Sequence, residues 1–229
     1  MNSVFTEKTK TGDIIIKFPP ASKLFKEYKI DFCCGGNRPI GDVIQSLQLE
    51  DKDLIKVLNI MYEEMQTSVE TDWMNMPLSE LVNHIIHHYH AKTRELLEEL
   101  AVFVSKVYRV HGERGRHLQE VYRLFFLLKD DLEQHLLGEE QQIFSKVLDY
   151  DLNKEEESLR AARAEISILE EEHEGAGEIL KQIRVATNDY TIPMDACNTY
   201  RLTYLKLEEL ESLTYDHIHL ENNVLFRRL

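Results

Sequence analysis

The sequence has little cysteine, and the cysteine it has does not suit a disulfide-stabilised fold. Only three cysteines occur in 229 residues, and two of them, Cys33 and Cys34, are adjacent. Small secreted domains that depend on disulfides carry a spaced and usually even set of cysteines. The scarcity therefore indicates a reducing compartment, and we expect a cytoplasmic protein.

Positive charge and long apolar runs are also scarce. Asp and Glu outnumber Lys and Arg by 41 to 27, which gives a formal net charge of −14. This charge disfavours nucleic acid and anionic membrane surfaces as partners. No apolar run approaches the ~18 residues of a membrane span, and the N-terminus lacks the basic and apolar regions of a signal peptide.

Helix-breaking residues are rare in the second part of the chain. Only one of the five prolines, Pro193, lies beyond Pro77, and apolar residues recur there at steps of three and four. This periodicity predicts amphipathic helices, and their short connections predict an all-α, up-down-up-down four-helix bundle. The four helices are predicted over about residues 78–107, 116–148, 155–186 and 194–227.

Proline and glycine are frequent in the first part of the chain, where the predicted helices are short. These helices cover about residues 21–28, 40–47 and 51–66, with a Cys-Cys-Gly-Gly turn between the first two. A domain of this size buries too little apolar surface for a large core. We therefore predict a small helical domain over residues 1–66, a linker over 67–77 and a bundle over 78–229.

A His-x-x-x-Glu pattern occurs twice in the bundle, as His135 with Glu139 and as His217 with Glu221. Residues four apart lie on one face of a helix, so each pattern offers two donors to the same side. A single pattern of this kind is usually a surface pair. Its repetition on the second and fourth helices favours a shared site.

The first and third helices carry a matching histidine each. His90 and His173 are both followed by Glu at the fifth position and by two apolar residues. Measured along the bundle axis at ~1.5 Å per residue, the four histidines and two glutamates lie at depths of roughly 9–27 Å, centred near ~17 Å. Errors of a few residues in the predicted helix ends account for much of this spread, so the six residues can share one layer. Burial of six such groups is costly without a partner, and a pair of metal ions is such a partner.

The donor types indicate iron. Mixed imidazole and carboxylate ligation suits iron or manganese better than calcium, magnesium or structural zinc. Ferritin-like sites use more carboxylate and a Glu-x-x-His spacing. We predict a non-haem di-iron centre in which two glutamates bridge the ions and two histidines complete each ion.

Other polar residues near these positions stay open in role. His87 could share a face with His90, whereas His219 is expected to be peripheral. Asp131 and Glu172 precede ligand positions by four residues and one residue. They are candidate carboxylates near the metal, although an exposed charge is the commoner explanation for such residues.

The Cys-Cys-Gly-Gly turn has two interpretations. A disulfide between neighbours is strained and easily reduced, and two following glycines favour an open backbone that exposes Cys33 and Cys34. This interpretation gives the pair a role in redox, metal or thiol exchange. The alternative is two small buried apolar residues at a helix end. Cys197, near the start of the fourth predicted helix, is expected to be structural.

Three stretches together resemble the Repair of Iron Centres family. They are Tyr-Lys-Ile-Asp-Phe-Cys-Cys-Gly-Gly, His-x-x-x-Glu-Glu and Asp-His-x-x-Leu-Glu-Asn-Asn-Val-Leu-Phe. The resemblance covers nearly the whole chain and implies a hemerythrin-like bundle in a cytoplasmic, homodimeric protein. It implies repair of iron–sulfur proteins damaged by nitric oxide or peroxide. Asp131 and Glu172 would be acidic positions near the iron, although the family often has Glu where this chain has Asp131.

The resemblance also assigns the iron centre. It implies two oxo- and carboxylate-bridged ions, with His90, His135, His173 and His217 as terminal ligands and Glu139 and Glu221 as bridges. We expect an iron-donating repair protein rather than a turnover enzyme. The alternative is a nitric oxide or oxygen reductase or sensor at the same centre, while an oxygen carrier would usually supply a fifth histidine.

Overall fold

The computed structural model describes residues 3–49, 52–65, 72–113 and 115–229. Over these residues the regular structure is helical, and one isolated bridge between Lys10 and Pro39 is the only β pairing. The predicted all-α class is therefore confirmed. The chain forms two compact units, one of Met1–Met76 with Ile218–Arg228, the other of Pro77–His217 with Leu229.

The described residues of Met1–Met76 form four short α-helices. They are α1 (Thr11–Lys17), α2 (Ala21–Glu27), α3 (Ile40–Ser46) and α4 (Leu54–Met65). The helix α1 was not predicted from the sequence, because its three consecutive isoleucines show no helical period. The predicted linker over 67–77 and the ends of the predicted 51–66 helix lie partly on residues outside the described ranges.

The second unit contains the long helices of the bundle. The first consists of α5 (Leu78–His84), a π-helical segment π1 (Ile85–His90) and α6 (Ala91–His111). The second consists of α7 (His117–Gly138), π2 (Glu139–Ile143) and α8 (Phe144–Asn153). The third is α9 (Glu156–Ala186), and the fourth is α10 (Asn198–Leu220), whose residues up to His217 belong to this unit. The end of α10, π3 (Glu221–Leu225) and the short 3-10 turn Phe226–Arg228 continue the same helix but belong to the first unit.

Local chemistry explains where these helices begin and end. Pro77 directly precedes α5. The first N–H groups of a helix have no intrahelical acceptor, so a proline there costs no hydrogen bond. Lys154 ends α8 in the left-handed conformation at φ 56°. The fourth helix begins at Asn198 rather than near Met194, which is fully exposed just after Pro193.

The core of the second unit comes from one face of each long helix. A stripe of leucines spaced four residues apart in α7 is buried throughout, as the predicted helical period requires. It consists of Leu124, Leu128, Leu132 and Leu136. Further buried positions from α6, α9 and α10 pack against that stripe, among them Leu100, Val104, Leu180, Ile183 and Leu207. None of the described helices is both long and apolar enough to cross a membrane.

The three π-helical segments interrupt the long helices at specific residues. His90 is the last residue of π1, Glu139 is the first of π2, and Glu221 is the first of π3. A π turn inserts an extra residue and changes the direction of the neighbouring side chains, and such turns are frequent at functional sites. Each segment therefore lies at a residue that the sequence predicts to bind metal.

Candidate metal centre

Four histidines from four helices meet in the second unit as two pairs. His90 Nε2 lies 3.1 Å from His217 Nε2, and His135 Nε2 lies 3.1 Å from His173 Nε2. Two nitrogens at this separation suit neighbouring positions around one cation bonded at about 2.1 Å, at roughly a right angle. Each pair is therefore suited to hold one ion.

Glu139 lies between the two pairs and directs one carboxylate oxygen toward each. Its Oε1 is 3.3 Å from His135 Nε2 and 3.9 Å from His173 Nε2. Its Oε2 is 3.4 Å from His90 Nε2 and 4.0 Å from His217 Nε2. A carboxylate in this position can bridge two cations.

Glu221 completes the cluster, since it follows His217 by one turn on the same continuous helix. Two groups of four residues each have donor atoms within 4.8 Å of one another. The first group is His90, Glu139, His217 and Glu221, and the second is His135, Glu139, His173 and Glu221. Both glutamates are 0% exposed, and none of the four histidines is more than 9% exposed. Burial of two carboxylates is costly unless cations compensate their charge, and imidazole with carboxylate suits iron. The six residues predicted as ligands are thus brought together.

Carboxylates also hold the outer nitrogens of two histidines. His90 Nδ1 lies 2.7 Å from Glu140 Oε1, and Arg94 donates to the same oxygen at 2.9 Å. Burial acts to raise the pKa of the Glu140 carboxyl, but the hydrogen bonds from His90 and Arg94 outweigh it and lower that pKa. A proton on Nδ1 leaves the Nε2 lone pair of His90 directed at the cluster.

Glu172 makes the corresponding contact on the other side of the cluster. Its Oε2 lies 2.7 Å from His135 Nδ1, and its side chain is 49% exposed. Asp131, the other carboxylate singled out in the sequence, is exposed and belongs to neither donor group. Glu172 therefore contacts a predicted ligand, whereas the role predicted for Asp131 depends on the family resemblance alone.

Comparison with known families agrees with this geometry. The sequence model of the hemerythrin HHE cation binding domain matches residues 81–229. The chain belongs to the hemerythrin family. A second model, for a domain of unknown function (DUF542), matches residues 7–62, so the N-terminal part has a family of its own.

Curated relatives extend the similarity beyond the hemerythrin domain. The chain is 35% identical to the protein named "Iron-sulfur cluster repair protein YtfE" of Escherichia coli O157:H7 over 217 residues. The protein of the same name from Shigella boydii serotype 4 (strain Sb227) is also 35% identical. Each alignment covers 95% of this chain and 94% of the relative. The resemblance predicted from the sequence motifs is therefore confirmed.

The remaining histidines near the hemerythrin centre lie outside both donor groups. His87 is exposed, and the rings of His84 and His88 stack with centroids 5.1 Å apart. Tyr89 stacks on His217 at 5.9 Å, and burial raises its pKa to about 12. His87, left open by the sequence, is thus not brought to the cluster.

The Cys-Cys-Gly-Gly turn belongs to the first unit and is held more firmly than the sequence suggests. Cys33 is only 5% exposed, and its Sγ lies 3.7 Å from that of Cys34. Asp31 Oδ1 accepts hydrogen bonds from the backbone N–H of Cys33 at 3.1 Å and of Gly35 at 2.9 Å. A hydrogen bond with Cys34 and burial raise the pKa of the Cys33 thiol. The expectation that the glycines expose both thiols is wrong for Cys33.

The end of the last helix also contacts the cysteine turn within the first unit. Asn223 Nδ2 donates to the Cys33 carbonyl oxygen at 3.0 Å, and His219 Nδ1 lies 3.1 Å from the Phe32 carbonyl oxygen. His219 was expected to be peripheral, but it is buried, and burial lowers its pKa to about 4. Cys197 was expected to be structural, but it is exposed, with its Sγ 3.4 Å from His111 Nε2.

Sequence reasoning missed three residues that support these sites. Glu140 and Arg94 hold His90, and Asn223 holds the cysteine turn. The second Glu of the quoted His-x-x-x-Glu-Glu motif was the available signal for Glu140. Asn223 likewise lies in the quoted Leu-Glu-Asn-Asn stretch, but its partner Cys33 is 190 residues away, so the motif did not indicate the contact. Arg94 had no signal, because its partner lies 46 residues away in the chain.

Proposed function

We propose that this hemerythrin-family protein binds two non-haem iron ions in the cluster. His90 and His217 would hold one ion, and His135 and His173 the other. Glu139 and Glu221 would bridge the two, together with an oxo group. The observation that carries the proposal is the pair of four-donor groups that share both buried glutamates.

Four protein donors for each ion leave room for solvent or an incoming ligand. The residues of the chain supply a dry pocket, fixed Nε2 lone pairs and two carboxylates that compensate the ionic charge. Iron bound this way can change oxidation state when loaded. An ion with few protein donors is also easier to give up than one enclosed on all sides.

We infer that the protein repairs iron–sulfur clusters damaged by nitrosative or oxidative stress by donating iron. The similarity to proteins named for iron–sulfur cluster repair, over 95% of the chain, supports this assignment. Its partners would be damaged iron–sulfur proteins in the cytoplasm, and we propose a homodimer. The net charge of −14 supports a protein that binds neither nucleic acid nor membrane surfaces.

The test begins with iron content and a matched histidine pair. The full chain is loaded with ferrous iron without oxygen, desalted and assayed for iron. We expect two ions per chain in the wild type and in His87→Leu, since His87 is exposed. His217→Leu removes a buried donor and should leave at most one ion. Full occupancy in His217→Leu would contradict the ligand assignment.

The same three proteins are then mixed with a nitric-oxide-damaged [4Fe–4S] enzyme and a thiol reductant. We expect the wild type and His87→Leu to restore its activity and His217→Leu to fail. A wild type that restores nothing but consumes nitric oxide catalytically would overturn the donor role and favour a reductase.

A further inference from the structure

The two halves of the hemerythrin centre differ in what holds the outer side of their histidines. We propose that Glu140, fixed by Arg94, is a positioning residue that retains the ion at His90 and His217. The ion at His135 and His173 then leaves first. This inference rests on the proposed iron-donating function and names which ion is donated.

The His90 side is enclosed and charge-compensated. The His90 side chain is 0% exposed, and Glu140 Oε1 lies 2.7 Å from its Nδ1. Arg94 binds the same oxygen at 2.9 Å, so the carboxylate is held between a cation and the imidazole. Only 24% of the Glu140 side chain is exposed, which limits competition from water. Rotation of His90 away from an ion would break this arrangement.

The His135 side is more open. Glu172 Oε2 lies 2.7 Å from His135 Nδ1, but 49% of the Glu172 side chain is exposed. Among the described residues, no Arg or Lys nitrogen lies within 4.0 Å of the Glu172 carboxylate. His135 is also the most exposed of the four histidines, at 9%. Water can therefore replace the Glu172 hydrogen bond and let His135 turn outward.

This difference matters because the outer partner of a metal-bound histidine fixes its tautomer and ring orientation. Loss of such a partner typically weakens metal binding ten- to a hundredfold. Because water can replace the exposed Glu172, part of this weakening of metal binding is already present at His135 in the wild type. The two ions therefore have the same donor types but different barriers to leaving.

The experiment measures iron release from the full chain, loaded with two ferrous ions per chain without oxygen. The loaded protein is mixed with excess of a chelator that absorbs visible light when it binds ferrous iron. We expect two phases of equal amplitude. Glu140→Ala should speed the slow phase about tenfold or more and leave the fast phase unchanged. Glu172→Ala should speed only the fast phase.

Three further variants serve as controls for Glu140→Ala and Glu172→Ala. Glu140→Gln retains an acceptor oxygen for His90 Nδ1, so its slow phase should lie between those of wild type and Glu140→Ala. Arg94→Gln leaves Glu140 in place and should also speed the slow phase, which serves if Glu140→Ala does not fold. Glu174→Gln changes an exposed carboxylate two residues after Glu172 and should alter neither phase.

The outcomes separate this inference from the proposed function. A single release phase in the wild type, or a faster fast phase in Glu140→Ala, would overturn the inference even if repair of a damaged cluster succeeds. Two phases with the expected variant effects would support it. If repair nevertheless fails, only the donor role is lost, because the release order is measured without any acceptor protein.

Discussion

At the scale of single residues, burial determines the acid–base behaviour of two tyrosines in the bundle. Tyr190 is 5% exposed, with the Arg184 guanidinium 4.8 Å from its ring centroid, and Tyr204 is 1% exposed. Burial raises the pKa of both phenols above the ordinary value of 10, because a phenolate would lose its hydration. Both side chains therefore stay protonated in the folded chain at a pH where the unfolded chain loses those protons.

We expect the free energy of unfolding to fall as pH rises above about 10. The folded pKa values lie above the unfolded ones, so the stability that the two phenols contribute is complete below 10 and is lost as pH rises. Each tyrosine adds a slope of about 1.4 kcal/mol per pH unit. Urea unfolding at a series of alkaline pH values measures this slope.

Phenylalanine variants identify the source of that slope. Tyr190→Phe and Tyr204→Phe should each flatten it, since each removes one titrating group. Phe126→Leu, at a half-buried position in α7, is the control, because it changes a ring that carries no titrating group and should leave the slope as it is. A slope unchanged in both buried variants would show that other groups cause the alkaline loss.

The residues of the iron site were predictable to the extent that their pattern is local. His135 with Glu139 and His217 with Glu221 are four apart, so the helical period alone puts each pair on one face. Glu140 was not predictable as the partner of His90, because the two lie on different helices and are 50 residues apart. Which side chains meet across helices depends on packing that one sequence does not reveal.

At the scale of elements, the long helices followed from periodicity but their π-helical segments did not. Hydrophobic spacing averages over several turns, so one extra residue at Glu139 or Glu221 is absorbed without changing the pattern. The helix α1 was missed because its 7 residues are too few for the apolar spacing to average over several turns. Its buried Ile14 and Ile15 stand beside half-buried Asp13 and Ile16 in a segment too short to show a period.

Glycine in the first unit allows close packing around one side chain. A Cβ at Gly36 would collide with Asn223 Oδ1 and lie 2.7 Å from the Phe32 carbonyl oxygen. A Cβ at Gly12 would lie 2.5 Å from the same Asn223 oxygen. Gly36 and Gly12 therefore make room for Asn223 at the end of the last helix. No described glycine has a positive φ, so this close approach, rather than backbone conformation, is what requires glycine here.

Gly36→Ala should lower the free energy of unfolding by about 1–3 kcal/mol, because backbone must move to admit the methyl group. Gly175→Ala is the matched control within α9, where a Cβ would have no neighbour within 4 Å. The control should raise the free energy of unfolding by about 0.5–1 kcal/mol, since alanine favours the helix. Urea unfolding measures both, and a Gly36→Ala chain as stable as wild type would contradict the packing account.

At the scale of the whole molecule, the two units share the last helix. Residues Ile218–Arg228 belong to the first unit, although the whole of 78–229 was predicted to be the bundle. The apolar pattern of the fourth helix continues past His217 without a break, so it gives no sign of this change. As a result, π3 begins at the iron-ligand candidate Glu221 and two residues later supplies Asn223, which holds Cys33.

This shared segment motivates a prediction about the cysteines. We propose that Cys33 and Cys34 relay electrons or iron between the centre and a damaged cluster. In an electron relay, oxidation of the two thiols to a disulfide would deliver two electrons to the cluster and release two protons, and the thiol reductant of the assay would restore the thiols. Replacing both with Ser keeps their size, so iron content and unfolding free energy should stay close to wild type. Restoration of a nitric-oxide-damaged [4Fe–4S] enzyme should fall sharply.

The matched control is Cys197→Ser, which removes an exposed thiol that lies outside the Cys33–Cys34 turn. It should repair the damaged enzyme as well as the wild type, which separates the vicinal pair from a general need for thiols. Iron content is measured on each variant before the repair assay. If the double-serine chain keeps its iron and repairs normally, the pair is structural. If it loses iron, the cysteine pair is needed for iron binding, and the relay is wrong.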